Sequence, residues 1–150
     1  MCTDPADLIL LVDDNVDDVD LTVRALRKSN SARRIAVARD GVEALHFLFG
    51  TGAFAARDAS DLPTVVLVDL TLPGLSGLEL IRRIRADRRT ASVPVVIFTG
   101  STDERARLDG LALGANGWLR KPQSMAELAE TMRGLTVYWK TPNRPCAVDA

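Results

Sequence analysis

Asp13, Asp14, Asp69, Thr99 and Lys121 are the residues of this chain whose types and placement could do chemistry together. Asp13 and Asp14 close the run LILLVDD, Asp69 closes TVVLVD, Thr99 closes PVVIFT, and Lys121 lies in WLRKP. In an open parallel sheet the carboxyl ends of neighbouring strands converge on one crevice. These segments would therefore bring three carboxylates, a hydroxyl and an ammonium into one small pocket. Such a set suits an aspartate that accepts a phosphoryl group beside a divalent cation. Asp69 would attack phosphorus and a metal would withdraw charge from the phosphoryl oxygens, while the Thr99 hydroxyl and the Lys121 ammonium donate to them. Gly100 leaves the approach open.

Electrostatics calls for the cation. Two carboxylates at about 4 Å repel by roughly 1 kcal/mol in water and about 4 kcal/mol at a protein-surface dielectric. Three ionised carboxylates with one lysine leave an excess of negative charge that Mg2+ cancels, and a hard octahedral cation suits carboxylates, a backbone carbonyl, waters and phosphoryl oxygen. Taken alone, Asp13, Asp14 and Asn15 would merely cap the first helix, where acidic side chains are favoured. Asp69 changes the reading, because a carboxylate at the end of a hydrophobic run needs a partner or a task.

The elements that must position these residues alternate between short β-branched runs and segments of helical period, the pattern of an α/β domain with a parallel sheet. Five strand-helix units fit. The first strand is Leu8 to Asp13, and the helix after it runs from Val16 to Ser29 with Val16, Val19, Val23 and Leu26 on one face. The second strand is Arg34 to Arg39, and Asp40-Gly41 opens a helix carrying Val42, Leu45 and Phe49. Thr64 to Asp69 is the third strand, and Ser76 with Glu79 forms a capping box at the start of the third helix. Val95 to Thr99 is the fourth strand, with Ser101 and Glu104 repeating that start signal. The fifth strand is Gly117 to Arg120, and Ser124 with Glu127 starts a last helix whose inner stripe is Leu128, Met132, Leu135 and Trp139. Pro142 and Pro145 end it. Residues 1–7 then read as a tail, 8–140 as one domain, and 141–150 as a second tail or a dimerisation arm. Gly50 to Pro63 exceeds the roughly 4–6 residues usual for a connection, and reads as a surface insertion or a binding loop.

The bulk properties set limits. A chain of 150 residues has length for one domain with a real core. Its 19 basic and 20 acidic residues give no field of one sign, so neither nucleic acid nor an anionic membrane is an expected partner. No apolar run is long enough to span a bilayer, no signal peptide is visible, and Cys2 and Cys146 have no Cys-x-x-Cys spacing. A cytoplasmic protein with unpaired thiols is expected.

The motifs Val12-Asp13-Asp14-Asn15, Asp69-Leu70-Thr71-Leu72-Pro73 with Gly77, Thr99-Gly100, and Trp118-Leu119-Arg120-Lys121-Pro122 resemble those of the receiver domains of two-component response regulators. The likeness spans residues 8 to about 139. It implies a doubly wound (βα)5 flavodoxin-like fold with strand order 2-1-3-4-5. It makes Asp69 the phosphoacceptor, Asp14 a direct magnesium ligand, Asp13 a ligand through water, and the Thr71 carbonyl the last protein ligand. It also admits a cis Lys121-Pro122 bond. In receivers the phosphoryl group draws the hydroxyl at the Thr99 position inward, and an aromatic at the Trp118 position fills the space it leaves. The switched surface is helix four, strand five and helix five, and here the aromatic is Trp in place of the more usual Tyr or Phe. Thr71 and Ser101 flank the expected path of hydrolytic water.

Fewer than 30 residues follow Lys121, so the signal is expected to leave through protein contacts. The long stretch before the third strand and Val137-Tyr138-Trp139 with the proline-containing tail look like the stand-alone receivers that partner bacterial phytochrome histidine kinases. Several of those are homodimers, which places a dimer contact at Tyr138. His46 reads as a surface or packing residue. Two other readings stay open. A haloacid dehalogenase-type phosphatase also forms an aspartyl phosphate, but it carries a second Asp two residues after the nucleophile, where this chain has Thr71. An unphosphorylated pseudo-receiver scaffold would not need the intact acidic set.

Overall fold

The structure is a computed structural model that describes residues 8–28, 34–122 and 124–140, without the side chains of 125 and 135–140. The strands are β1 (Leu8–Val12), β2 (Arg34–Ala38), β3 (Val65–Val68), β4 (Val95–Thr99) and β5 (Gly117–Arg120), all parallel in the order β2-β1-β3-β4-β5. Burial follows that order. β1, β3 and β4 are buried along their whole lengths, as strands covered on both faces must be, whereas β2 and β5 at the edges are mostly half-buried.

The helices are α1 (Val16–Lys28), α2 (Gly41–Phe49), α3 (Gly77–Ala86), α4 (Glu104–Ala112) and α5 (Met125–Lys140). Successive strand residues point to opposite faces, so the sheet divides the core in two. Ile9, Leu11, Leu67 and Phe98 pack against Ala25 and Leu26 of α1 and Leu128, Ala129 and Met132 of α5. Leu10, Val12, Val68 and Ile97 pack on the other side with Phe47 and Leu48 of α2 and Leu80, Ile81 and Ile84 of α3. Among the described residues no helix is long and apolar enough to cross a membrane.

Several local expectations need correction. Val16 is 63% exposed, while Val19, Val23 and Leu26 of the same expected stripe pack on the core beside the buried Thr22 and Ala25. α2 turns Ala44, Phe47 and Leu48 inward and leaves Val42 half exposed; in a short helix apolar on several sides, packing selects the face. α4 is capped by Asp103, whose carboxylate accepts from the Arg105 and Ala106 amides, and Ser101 instead accepts from the Asp103 amide. At Ser76 the hydroxyl accepts from the Glu79 amide as expected, but the Glu79 carboxylate turns outward to Arg82 and Arg83. Ser124 accepts from the Glu127 amide. No cis peptide bond occurs among the described residues, so the Lys121–Pro122 linkage is not cis.

The 50–63 stretch is a folded brace. It carries a 3-10 helix at Gly52–Phe54, Phe54 meets Phe47 edge-on at 5.2 Å, and the Arg57 guanidinium lies 3.9 Å over the same ring. Arg57 donates to the Phe47 and Asp61 carbonyls, and Asp61 pairs with Arg34 at the start of β2. His46 is half-buried at the end of α2. The Leu135, Tyr138 and Trp139 side chains, both cysteines and residues 141–150 lie outside what is described.

Candidate functional site

Each of the five residues sits where its strand ends. Asp13 follows β1, Asp69 follows β3, Thr99 closes β4, and Lys121 follows β5 with its amide donating to the Thr99 carbonyl. Register makes the site: Leu11 pairs with Leu67, Leu67 with Val96, and Ile97 with Trp118, so the strands finish level. Alternation separates the acidic pair. The Asp13 side chain turns inward and is 1% exposed, while Asp14 is exposed at the mouth.

The two oxygens of Asp69 differ. Oδ1 accepts from the Thr71 amide at 3.0 Å, the Thr71 hydroxyl at 3.0 Å and the Thr99 hydroxyl at 2.9 Å. Oδ2 accepts from Lys121 Nζ at 2.7 Å. Asp13 has the same division, with Oδ1 on the Asn15 amide at 3.0 Å and Oδ2 on Lys121 Nζ at 2.5 Å. The second oxygen of each buried carboxylate therefore faces the lysine, and of the two residues Asp69 lines an opening. The backbone under Asp69 is held by close packing, since a Cβ on Gly77 would fall 2.6 Å from the Asp69 carbonyl oxygen. α3 can begin there only without a side chain.

Burial acts on all three groups and is overcome in two. It pushes Asp69 up, but the Lys121 and Thr71 hydrogen bonds, the lysine charge and the Thr99 hydroxyl outweigh it and hold the carboxyl below the ordinary range. It pulls Lys121 down, but hydrogen bonds to Asp13 and Asp69 hold the ammonium above its usual value. At Asp13 burial prevails and the carboxyl is raised, in spite of Lys121 and the Asn15 amide, with the charge of Asp69 adding to it.

Lys121 has a third partner that the motif pattern does not include. Nζ donates to Asp18 Oδ2 at 3.0 Å, from the first turn of α1. The two openings of the region, of about 730 and 770 Å3, both border on Asp18, Gly100 and Lys121; Asp14, Thr71 and Ser101 line the first, and Arg120, Glu127 and Thr131 the second. The sequence signal was present, five residues beyond Asp13. It carried a sufficient local explanation, because acid in a first helical turn is favourable in any case.

Three carboxylates around one ammonium leave a local excess of negative charge. A hard cation fits that donor set. Among the described residues no three acidic side chains stand together as a ready metal cage; Asp13, Asp18 and Asp69 meet around the lysine ammonium.

Trp118 is half-buried and packs against the α2 and α3 side of the core. The Thr99 hydroxyl already points to Asp69, and its oxygen accepts from the Ser101 amide at 3.3 Å.

Comparison with known proteins follows the same lines. The profile of the response regulator receiver domain matches residues 9–133. The probable methanogenesis regulatory protein FilR2 of Methanothrix harundinacea is 34% identical over 137 residues, 91% of this chain and 86% of that protein. Response regulator Rcp1 of Synechocystis is 30% identical over 137 residues, 91% of each chain. The solved Mn(2+)-bound form of Rcp1 superposes with a TM-score of 0.79 at 28% identity, over 91% of this chain and 96% of that one. The phosphorylated cyanobacterial phytochrome response regulator RcpA superposes with a TM-score of 0.81 at 29% identity, over 90% of this chain and 94% of that one.

Proposed function

The chain belongs to the response regulator receiver family, and from that membership we propose that it accepts a phosphoryl group from a sensor histidine kinase onto Asp69 and signals through protein contacts. The observation that carries this reading is the asymmetry of the Asp69 carboxylate. Oδ1 is occupied by three protein donors and serves as the anchor; Oδ2 accepts from Lys121, and Asp69 lines the cavity, which supports Oδ2 as the attacking oxygen. As the Oδ2–P bond forms, the bond from phosphorus to the donor nitrogen breaks and its electron pair stays on the donor imidazole. The carboxylate becomes an acyl phosphate. Lys121 must leave Oδ2 for this to happen, and it then donates to the phosphoryl oxygens. Thr99 is within reach of the same group and can pass its hydroxyl from Oδ1 to a phosphoryl oxygen.

Asp13, Asp14, Asp69 and the Thr71 carbonyl would hold Mg2+, which supplies charge neutralisation for the phosphoryl oxygens when bound. The Mn2+ in the solved form of Rcp1 supports a cation in this family. The position two residues past Asp69 favours a receiver over a dehalogenase-type phosphatase, because the Thr71 hydroxyl there is a donor to Asp69 and no carboxylate stands in its place. The protein is then a phosphoacceptor and not a turnover enzyme. Likeness to RcpA supports a phytochrome-type kinase as donor. Output through α4, β5 and α5 is supported by Leu108 and Leu111, exposed at 52% and 37% on α4. A cytoplasmic homodimer joined near Tyr138 completes the reading.

Intact-mass spectra after incubation with acetyl phosphate and Mg2+ test it. Wild type should gain one phosphoryl group and Asp69→Asn none. Beryllium fluoride with Mg2+ should change tryptophan fluorescence in wild type alone. A wild-type chain that stays unmodified under both donors, kinase and acetyl phosphate, overturns the proposal.

A further inference from the structure

We propose that Asp18 is a positioning residue for phosphoryl acceptance: it holds the Lys121 ammonium from the solvent side, so that the lysine stays at the mouth of the pocket when it leaves Asp69. The inference rests on Asp69 being the acceptor and adds a residue outside the motif set.

An ammonium has three N–H donors, and here all three are engaged, by Asp13 at 2.5 Å, Asp69 at 2.7 Å and Asp18 at 3.0 Å. The first two partners are the buried carboxylates that the reaction itself needs. Asp69 Oδ2 becomes an ester oxygen and a poor acceptor, and Asp13 is a cation ligand. Asp18 is neither. Its side chain is 40% exposed, and its place is fixed by the helix start, where the Asp18 amide donates to the Asn15 side chain at 3.0 Å. The lysine side chain is only 13% exposed and lies between two buried acids inside and one solvated acid outside.

A four-carbon side chain loses rotamer entropy when it is held, and that loss must be overcome by its contacts. With Asp18 removed, the ammonium has two destinations, both less productive. It remains on Asp69 Oδ2 and blocks the attacking lone pair, or it departs into water and no longer meets the phosphoryl oxygens. Asp18 and Lys121, with Gly100, also border both the acceptor pocket and the outer cavity that carries Arg120 and Glu127. An exposed ion pair with no task would add little; this one is bonded to the working lysine.

The test compares Asp18→Asn, Asp18→Glu and Asp20→Asn in the full chain. Asp20 is the control for charge, since it lies on the same helix but pairs with Arg24 and not with Lys121. At saturating Mg2+ and acetyl phosphate, Asp18→Asn should accept phosphoryl about fivefold more slowly, Asp18→Glu should recover at least half of the loss, and Asp20→Asn should stay within about twofold of wild type. The second readout is independent of phosphorylation. The Lys121 ammonium, observed by 1H–15N NMR in the presence of Mg2+, should give a slowly exchanging signal in wild type and Asp20→Asn and lose it in Asp18→Asn. A signal that persists in Asp18→Asn overturns the proposal even if the rate falls, as does acceptance in Asp18→Asn that equals or exceeds wild type. Loss of acceptance in wild type overturns the phosphoacceptor reading, and the ammonium signal still decides the role of Asp18.

Discussion

Asp13 and Asp14 are chemically identical neighbours with opposite fates, one sealed beneath the pocket and one in solvent. Because burial raises the Asp13 carboxyl, its charged form weakens the fold. The folded protein binds this proton more tightly than the unfolded chain does, so stability falls as pH climbs from the ordinary value of 3.8 through the raised one. Asp13→Asn should therefore raise the thermal midpoint at pH 7 by about 2–4 °C, near 1 kcal/mol for a chain of this size, and the advantage should fade towards pH 3.8. The same variant should bind Mg2+ more weakly. A lower midpoint at pH 7 would show that the Lys121 contact outweighs burial. A carboxylate kept at a cost to stability is what a working site requires. The five motif residues were legible because each marks the change from apolar run to polar end, whereas Asp18 was not. Its partner is 103 residues away, and its immediate surroundings explain it without that partner.

Among the helices, α4 is held most lightly. Its single buried residue is Gly110, while α3 buries Leu80, Ile81 and Ile84 and α5 buries Leu128, Ala129 and Met132. Each buried large apolar side chain anchors a helix by about 1.5–3 kcal/mol, and α4 has none. Contact instead comes from close approach, since a Cβ on Gly110 would fall 2.3 Å from Cδ1 of Ile97, itself fully buried. Amide exchange should accordingly be on the order of tenfold faster across α4 than across α3; equal protection would mean that α4 is anchored by contacts other than burial. The loosely held helix is also wired to the acceptor. Thr99 donates to Asp69 and accepts from the Ser101 amide, Ser101 accepts from the Asp103 amide, and Asp103 caps α4. Strand positions and strand order were readable from continuous apolar runs and from the family likeness. The inward face of α1 was readable from Val19, Val23 and Leu26, which pack on the core, with Val16 the exception; that of α2 was not, because Val42 satisfies helical period and is half exposed. The cap of α4 was misread because two acceptors, Ser101 and Asp103, compete for one helix start, and the carboxylate nearer the first turn takes it.

At the scale of the whole molecule, the pocket is assembled from segments far apart along the chain. Lys121 lies 108 residues from Asp13 and 52 from Asp69, and Thr99 lies 30 from Asp69. The core, by contrast, is shared between two faces of one sheet, so much of it can form before β5 docks on β4. In refolding of a Trp139→Phe variant from urea, where Trp118 on the last strand is the one remaining tryptophan, aliquots pulsed with acetyl phosphate and Mg2+ should become reactive only with the slowest change in tryptophan fluorescence. Reactivity that precedes that change would mean the acceptor works without Lys121 in place. Contacts of such long sequence separation form late, since the loop between them must be closed first. An unfinished copy, still on the ribosome or stalled with four strands paired, consequently has Asp69 with no ammonium beside it and, under the proposed function, should not compete for a donor. Under the proposed function, only completed molecules would accept a phosphoryl group, so a signal carried that way would be confined to fully folded chains.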